Sequence, residues 1–458
     1  MQFSILHFKG LCQNQRKETP NWSCIRLSDV RLSNEQLTVR ILIISGSLTC
    51  LAGLNCGWFG PLVPSIAVSQ KVPLVEAGSL ISVYSGGSLI PLAIGRQLVE
   101  KFGGRTCLLA AALLFLSGLA ILSLGCGIIG MSFGAAALGV GAGLNSISGT
   151  ICILRLASGS SAASLGKLNV FFGIGALLGP VVALLGLNSP WSYHAVYAFG
   201  ALYALVVFIA TFFAKQIDVR VTPSDSSVSK FKPLQAPALL YTASVFLYVG
   251  VEVALATWLF TYLNASCNLS KELAGWSMTA LWAGLTTGRM TAVQLFKYIP
   301  APRIALAAMG LAFCVILLLA THPGLGPLSL GVIFLLGLGF GPIFPTLISS
   351  ASERYKQHSA SITSLVVTAG ALAGITFPIF VGQFFSKFGH RPGMLVLALF
   401  SSALPLVFYT VQFRLNRSAL QSEGADPAVC DSSFSTRITS APERSGQSEH
   451  VAAPEPTR

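Results

Sequence analysis

The chain has 458 residues, 53% of them hydrophobic and 10% charged, against about 25% charged in an average soluble domain. So much apolar surface cannot be hidden from water in one soluble body, which excludes a soluble globular protein and defines a polytopic membrane protein. The net charge of +13 is dispersed along short loops, where it sets membrane orientation, and so does not point to nucleic acid as a partner.

Residues 1–40 are mixed polar and basic and hold no apolar run of signal-peptide length, so they read as a cytosolic tail. Spanning the hydrocarbon core takes about 20 mostly apolar residues. Twelve such runs follow. Six lie near 41–67, 75–95, 106–126, 128–154, 166–187 and 193–214. Six more lie near 237–263, 273–296, 303–320, 326–350, 360–386 and 392–413. Between the sixth and seventh runs, the segment 215–236 is rich in Ser, Lys and Pro and reads as a cytosolic linker. Residues 414–458 are rich in Ser, Glu and Pro, bury too little to fold, and read as a disordered cytosolic tail. The expected fold is an all-α membrane protein of twelve transmembrane helices in two pseudo-symmetric six-helix bundles, 41–214 and 237–413.

Loop charge supports that topology. With the N-terminus in the cytosol, thirteen Lys and Arg fall in inside loops, from Arg96, Lys101 and Arg105 to Arg354 and Lys356, and four (Lys71, Lys271, Lys387, Arg391) fall outside. Ten cysteines form no CxxC pair, and those in apolar runs, such as Cys56, read as small hydrophobes. No cofactor or metal is implied.

The two halves also echo each other. At an offset of 198 residues, Gly139, Gly141 and Gly143 match Gly337, Gly339 and Gly341, and Pro180 matches Pro378. Small residues at these positions let helix backbones approach closely.

Several stretches carry a family resemblance. The loop Gly95–Arg105, GRQLVEKFGGR, resembles the cytoplasmic signature of the major facilitator superfamily, with Leu98, Glu100, Gly103 and Arg105 in register and Glu in place of Asp. The resemblance implies a charge latch in which the acid pairs with bases on a neighbouring helix and holds the outward-open state. Gly166, Gly175, Gly179 and Pro180 in the fifth run match a glycine–proline pattern seen in antiporters of that superfamily. NVFFGIGALLGP (Asn169–Pro180), YVGVEVALATWLFTYL (Tyr248–Leu263) and GPIFPTLISSASER (Gly341–Arg354) are similar to the fucose–proton symporter branch and its sodium-dependent glucose transporter relatives. Two acids of that branch are missing. Asn145 stands where the fourth helix would carry one, and Gly53–Pro64 in the first helix has none.

Of sixteen acidic residues, Glu252 alone sits deep in an apolar run. A carboxylate at bilayer depth costs at least about 2.5–3.5 kcal/mol, so such residues mark functional sites. Glu252 is the candidate ion-coupling group, for a proton or a sodium ion, and Tyr248 shares its helix face. Arg289 is the one base within a span. A permanent structural pair between Arg289 and Glu252 is the alternative. Asn55, Asn145, Asn169 and Gln383 offer the paired donors and acceptors that sugar hydroxyls need. Trp258 and Trp282 offer flat faces for a sugar ring. Glu100, Arg105, Arg289, Gly175, Gly179 and Pro180 are candidate gating or structural residues. Asn264 and Asn268 each begin an Asn-x-Ser sequon.

The expected function is secondary active transport of a small polar solute, with sugar first by resemblance, through alternating access in the plasma membrane. The rivals are an export antiporter for drugs or metabolites and a non-transporting nutrient sensor. No motif for ATP use or nucleophilic catalysis points to an enzyme.

Overall fold

The computed structural model describes residues 34–156, 161–214 and 235–415. Residues 1–33 and 416–458 of the expected tails and nearly all of the 215–236 linker lie outside those residues, while 34–40, expected in the N-terminal tail, begin α1.

Thirteen α-helices carry the described chain. They are α1 (Asn34–Gln70), α2 (Leu74–Phe102), α3 (Gly104–Leu124), α4 (Gly127–Leu156), α5 (Ser161–Leu187), α6 (Ser192–Phe213), α7 (Ala236–Ala265), α8 (Lys271–Leu295), α9 (Ala301–Thr321), α10 (Ser329–Phe340), α11 (Ile343–Arg354), α12 (Ser359–Phe388) and α13 (His390–Tyr409). Helices predominate because every backbone polar group within a bilayer must be satisfied inside its own segment. α10 and α11 are two pieces of one crossing, Gly326–Arg354. The break falls at Gly341–Pro342, where Pro342 has no N–H to offer the Leu338 carbonyl.

Among the described residues, eleven segments are long and apolar enough to cross a membrane. α8 makes the twelfth crossing. It has 25 residues, but Ser277, Thr279, Thr286, Thr287 and Arg289 lower its hydropathy. The hydroxyls of Ser277, Thr279 and Thr286 donate back to carbonyls four residues earlier, which lets them sit in an apolar setting.

The signature stretch differs from its reading as a loop. Gly95–Phe102 continues α2 as helix, and the turn is compressed to Gly103, whose φ of 83° favours glycine.

The repeat at offset 198 has a packing counterpart. Gly141 lies against Leu114 of α3, and Gly339 lies against Ala312 of α9. Gly143 lies against Pro91 of α2, and Gly341 lies against Arg289 of α8. Each contact partner in the first half sits at the same offset from its counterpart in the second. The duplicated glycines thus seat α4 and α10 in matching ways on their preceding helices.

The chain sorts into two compact units. The first comprises 1–55, 87–176 and 194–224, the second 56–86, 177–193 and 225–458. In the first unit, a side chain at Gly53 would meet the Phe172 carbonyl, and one at Gly175 the Cys50 carbonyl, so α1 and α5 touch backbone to backbone. In the second, the outer ends of α1, α2 and α5 pack with second-half helices. Gly60 sits on the Ala256 carbonyl, Gly78 on the Trp258 ring, and Gly275 on Leu184.

Candidate functional site

The site starts from two residues one turn apart on α7. Tyr248 is fully enclosed, whereas Glu252 keeps part of its surface accessible. The Tyr248 hydroxyl donates to the Phe340 carbonyl at 3.1 Å, and it interacts with both the Glu252 carboxyl and the Arg289 guanidinium. Phe340 is the last residue of α10, so its carbonyl lies among those a helix end leaves without an intrahelical donor. Tyr248 fills that vacancy, and its ring packs edge-on against Phe340 with centroids 5.8 Å apart.

Arg289 approaches from α8. Its Nε is buried and has no hydrogen-bond partner among the described residues. Glu252 and Arg289 attract each other without a direct ion pair, since among the described residues the ion pair formed is Arg96–Glu100. A permanent structural bridge between them is therefore not formed here. Tyr248 is the group that touches both.

Cys56 of α1 lies near enough to Glu252 for their charges to interact, and Tyr84 of α2 stands in the same relation to Cys56. Sequence reasoning missed both. Cys56 sits in an ordinary apolar run, and nothing local links it to a glutamate almost two hundred residues on. Within the second unit, residues of α1, α7 and α8 thus stand near the Glu252 carboxyl, with Tyr84 of α2 next to Cys56 and Phe340 of α10 next to Tyr248.

The other expected site residues fall in varied places. Trp258 has no accessible surface. Its indole nitrogen donates to the Pro378 carbonyl at 2.9 Å, and its ring lies against Gly78 and Gly382. Trp282 is buried on α8 at 5% exposure. Asn145 is buried, and its amide donates to the Ser45 carbonyl at 3.2 Å and the Thr49 hydroxyl at 3.0 Å, which ties α4 to α1. Its own carbonyl oxygen has no partner among the described residues. Asn55 is buried on α1, whereas Asn169 on α5 and Gln383 on α12 are exposed.

Among the gating candidates, Glu100 pairs with Arg96 on its own helix at 2.8 Å. Arg105 donates to the Phe212 carbonyl at 2.6 Å, where it caps the end of α6. The acid Glu100 thus pairs within its own helix and not with a base on a neighbouring one. Gly179 and Pro180 are buried in α5. The Asn264 amide donates to the Leu269 carbonyl at 2.9 Å, whereas Asn268 is exposed with a φ of 52°.

An embedded acid and base joined by a tyrosine, on a frame of broken and glycine-packed helices, is the equipment of a solute carrier. Comparison with known sequences decides the family. A sequence model described as Major Facilitator Superfamily matches residues 46–378. The chain belongs to that superfamily. Its relatives within it include Protein TsgA of Shigella flexneri, 24% identical over 380 residues, which span 82% of this chain and 92% of the relative. The TsgA homolog of Buchnera aphidicola (subsp. Baizongia pistaciae, strain Bp) is 21% identical over 363 residues, spanning 76% and 91%. The fold is shared with solved transporters. The nucleoside transporter NupG aligns with a TM-score of 0.68 at 14% identity, over 82% of this chain and all of that one. A D-xylose–proton symporter aligns with a TM-score of 0.65 at 15% identity, over 81% and 97%. The protein is thus a multi-pass membrane transporter of the major facilitator type.

Proposed function

We propose that the protein is a secondary transporter of a small polar solute, with sugars the first class to test, coupled to protons through Glu252. The observation that carries this is the membrane-embedded Glu252, only partly accessible, beside Tyr248 and an Arg289 whose Nε is unfilled.

The coupling follows from charge. A deprotonated Glu252 attracts Arg289 and draws α7 and α8 together at Tyr248. A proton on Glu252 removes that attraction and leaves Arg289 to seek another acceptor. An acceptor supplied by the solute would then be bound best when the proton is bound, which is the linkage a symporter needs. The glycine contacts that α1 and α2 make with α7 in the second unit are small-residue interfaces suited to opening and closing, because no interlocking side chain has to be withdrawn.

A plasma-membrane location belongs to this reading and is supported by the bacterial TsgA relatives. Purified protein in proteoliposomes, offered radiolabelled hexoses and pentoses under an outside-acid gradient, tests the proposal. Accumulation that a protonophore abolishes supports it. Uptake that ignores the gradient, or accumulation under the reversed gradient alone, refutes it.

A further inference from the structure

Away from Glu252, α8, α9 and α10 leave a cleft of about 350 Å³. Its walls include Leu295, Ala307, Leu311 and Leu338, its floor includes Gly288 and Pro342, and Arg303 stands in its lining. The flanking surface is apolar and outward-facing, with Met290 68% exposed and Val293 59% exposed. In a membrane protein such a surface meets lipid, so the cleft opens sideways into the bilayer.

One cation lines the cleft, and a second lies a few residues earlier in the chain. The Arg303 side chain is exposed and makes no hydrogen bond or ion pair among the described residues. Lys297, in the α8–α9 connection, donates to Gln294 at 2.8 Å and keeps two further donors. Lys297 lies in the α8–α9 connection and Arg303 in the first turn of α9, at the end that the charge bias of the chain assigns to the cytosol.

An apolar slot gives an acyl chain no selective advantage, because lipid tails are as apolar as the slot. Selection must come from the headgroup. A cation in the lining of an apolar slot complements a phosphate that carries net negative charge on an amphiphile, and intramembrane basic pockets on the cytosolic side recognise anionic headgroups in this way. A free phosphate would satisfy the cation and leave the slot without a role.

We propose that this cleft is a binding site for an anionic phospholipid of the cytosolic leaflet, with one acyl chain in the slot and the phosphate on Arg303. Its floor is the rear of the α8–α10 contact, where Gly341 packs on the Arg289 backbone. A seated lipid therefore braces the helix pair that presents Arg289 to Glu252.

Native mass spectrometry of the detergent-purified full-length protein tests this, with phosphatidylglycerol and phosphatidylcholine of identical chains as probes. Wild-type protein should retain phosphatidylglycerol roughly fivefold better, the factor that about 1 kcal/mol from a basic residue gives. Arg303→Gln should reduce that preference to near parity. Ala307→Trp fills the slot from an exposed position and should weaken retention of both lipids. Equal retention of the two lipids by the wild type, a preference that survives Arg303→Gln, or binding untouched by Ala307→Trp would each overturn the assignment.

Discussion

The Tyr248 hydroxyl and the Phe340 carbonyl are joined by a 3.1 Å hydrogen bond at the point where α10 ends. One bond thus connects the helix that carries the embedded acid to a helix break. Pro342 and Pro345 remove two backbone donors around that break, and Tyr248 replaces part of what they take away. Any change in how Tyr248 divides its interactions among Glu252, Arg289 and Phe340 is felt at the junction of α10 and α11.

Tyr248→Phe leaves the Phe340 carbonyl unpaired and keeps the ring packing. Loss of a buried partner costs about 1–3 kcal/mol. Thermal unfolding should therefore shift down, and gradient-driven uptake should fall more than solute binding does. Differential scanning fluorimetry and a binding isotherm on the same preparation check both parts.

Glu252 and Arg289 should behave as one unit. Arg289→Gln leaves the acid without its attracting charge, and Glu252→Gln leaves the base buried without one. The double variant should be more stable than the two single losses combined would suggest, with a coupling of about 0.5–3 kcal/mol. A double-mutant cycle in thermal unfolding measures it, and strict additivity would show that the two residues do not interact.

Trp258 should prove structural. Its ring is enclosed and its N–H is bonded to Pro378. Trp258→Phe should lower stability by about 1–3 kcal/mol through the lost indole hydrogen bond and the space the smaller ring leaves, and leave solute affinity unchanged in the correctly folded fraction. A solute affinity that drops several-fold with no change in unfolding would place the ring in the binding site.

Two glycines of α5 should respond oppositely. A methyl at Gly175 would overlap the Cys50 carbonyl, whereas nothing lies within 4 Å of one at Gly166. Gly175→Ala should reduce the yield of folded protein sharply, and Gly166→Ala should leave it unchanged. Fluorescence size-exclusion profiles of the two variants distinguish them.

Much of this was legible in the sequence. Bilayer thickness sets helix length, so apolar runs gave twelve crossings, and α8 was found although its threonines and Arg289 dilute its hydropathy. Paired glycines at offset 198 announced the matched seats of α4 and α10. The lone acid, its tyrosine and Arg289 were found because embedded charge is costly and i, i+4 spacing shares a face. Cys56, Tyr84 and the Phe340 carbonyl were not, because tertiary packing between distant segments brings Cys56 to Glu252, Tyr84 to Cys56 and Phe340 to Tyr248. The helical course of Gly95–Phe102 was hidden for a different reason. Its polar residues resemble a loop, yet α2 continues past the bilayer and pairs Arg96 with Glu100 along its own surface.

Proton coupling at Glu252 is tested most directly by Glu252→Gln in proteoliposomes, which keeps the side-chain shape and removes its titration. Gradient-driven accumulation of a transported solute should vanish, while exchange of labelled for unlabelled solute across equal pH persists. Accumulation at the wild-type level in that variant would contradict proton coupling through this carboxyl.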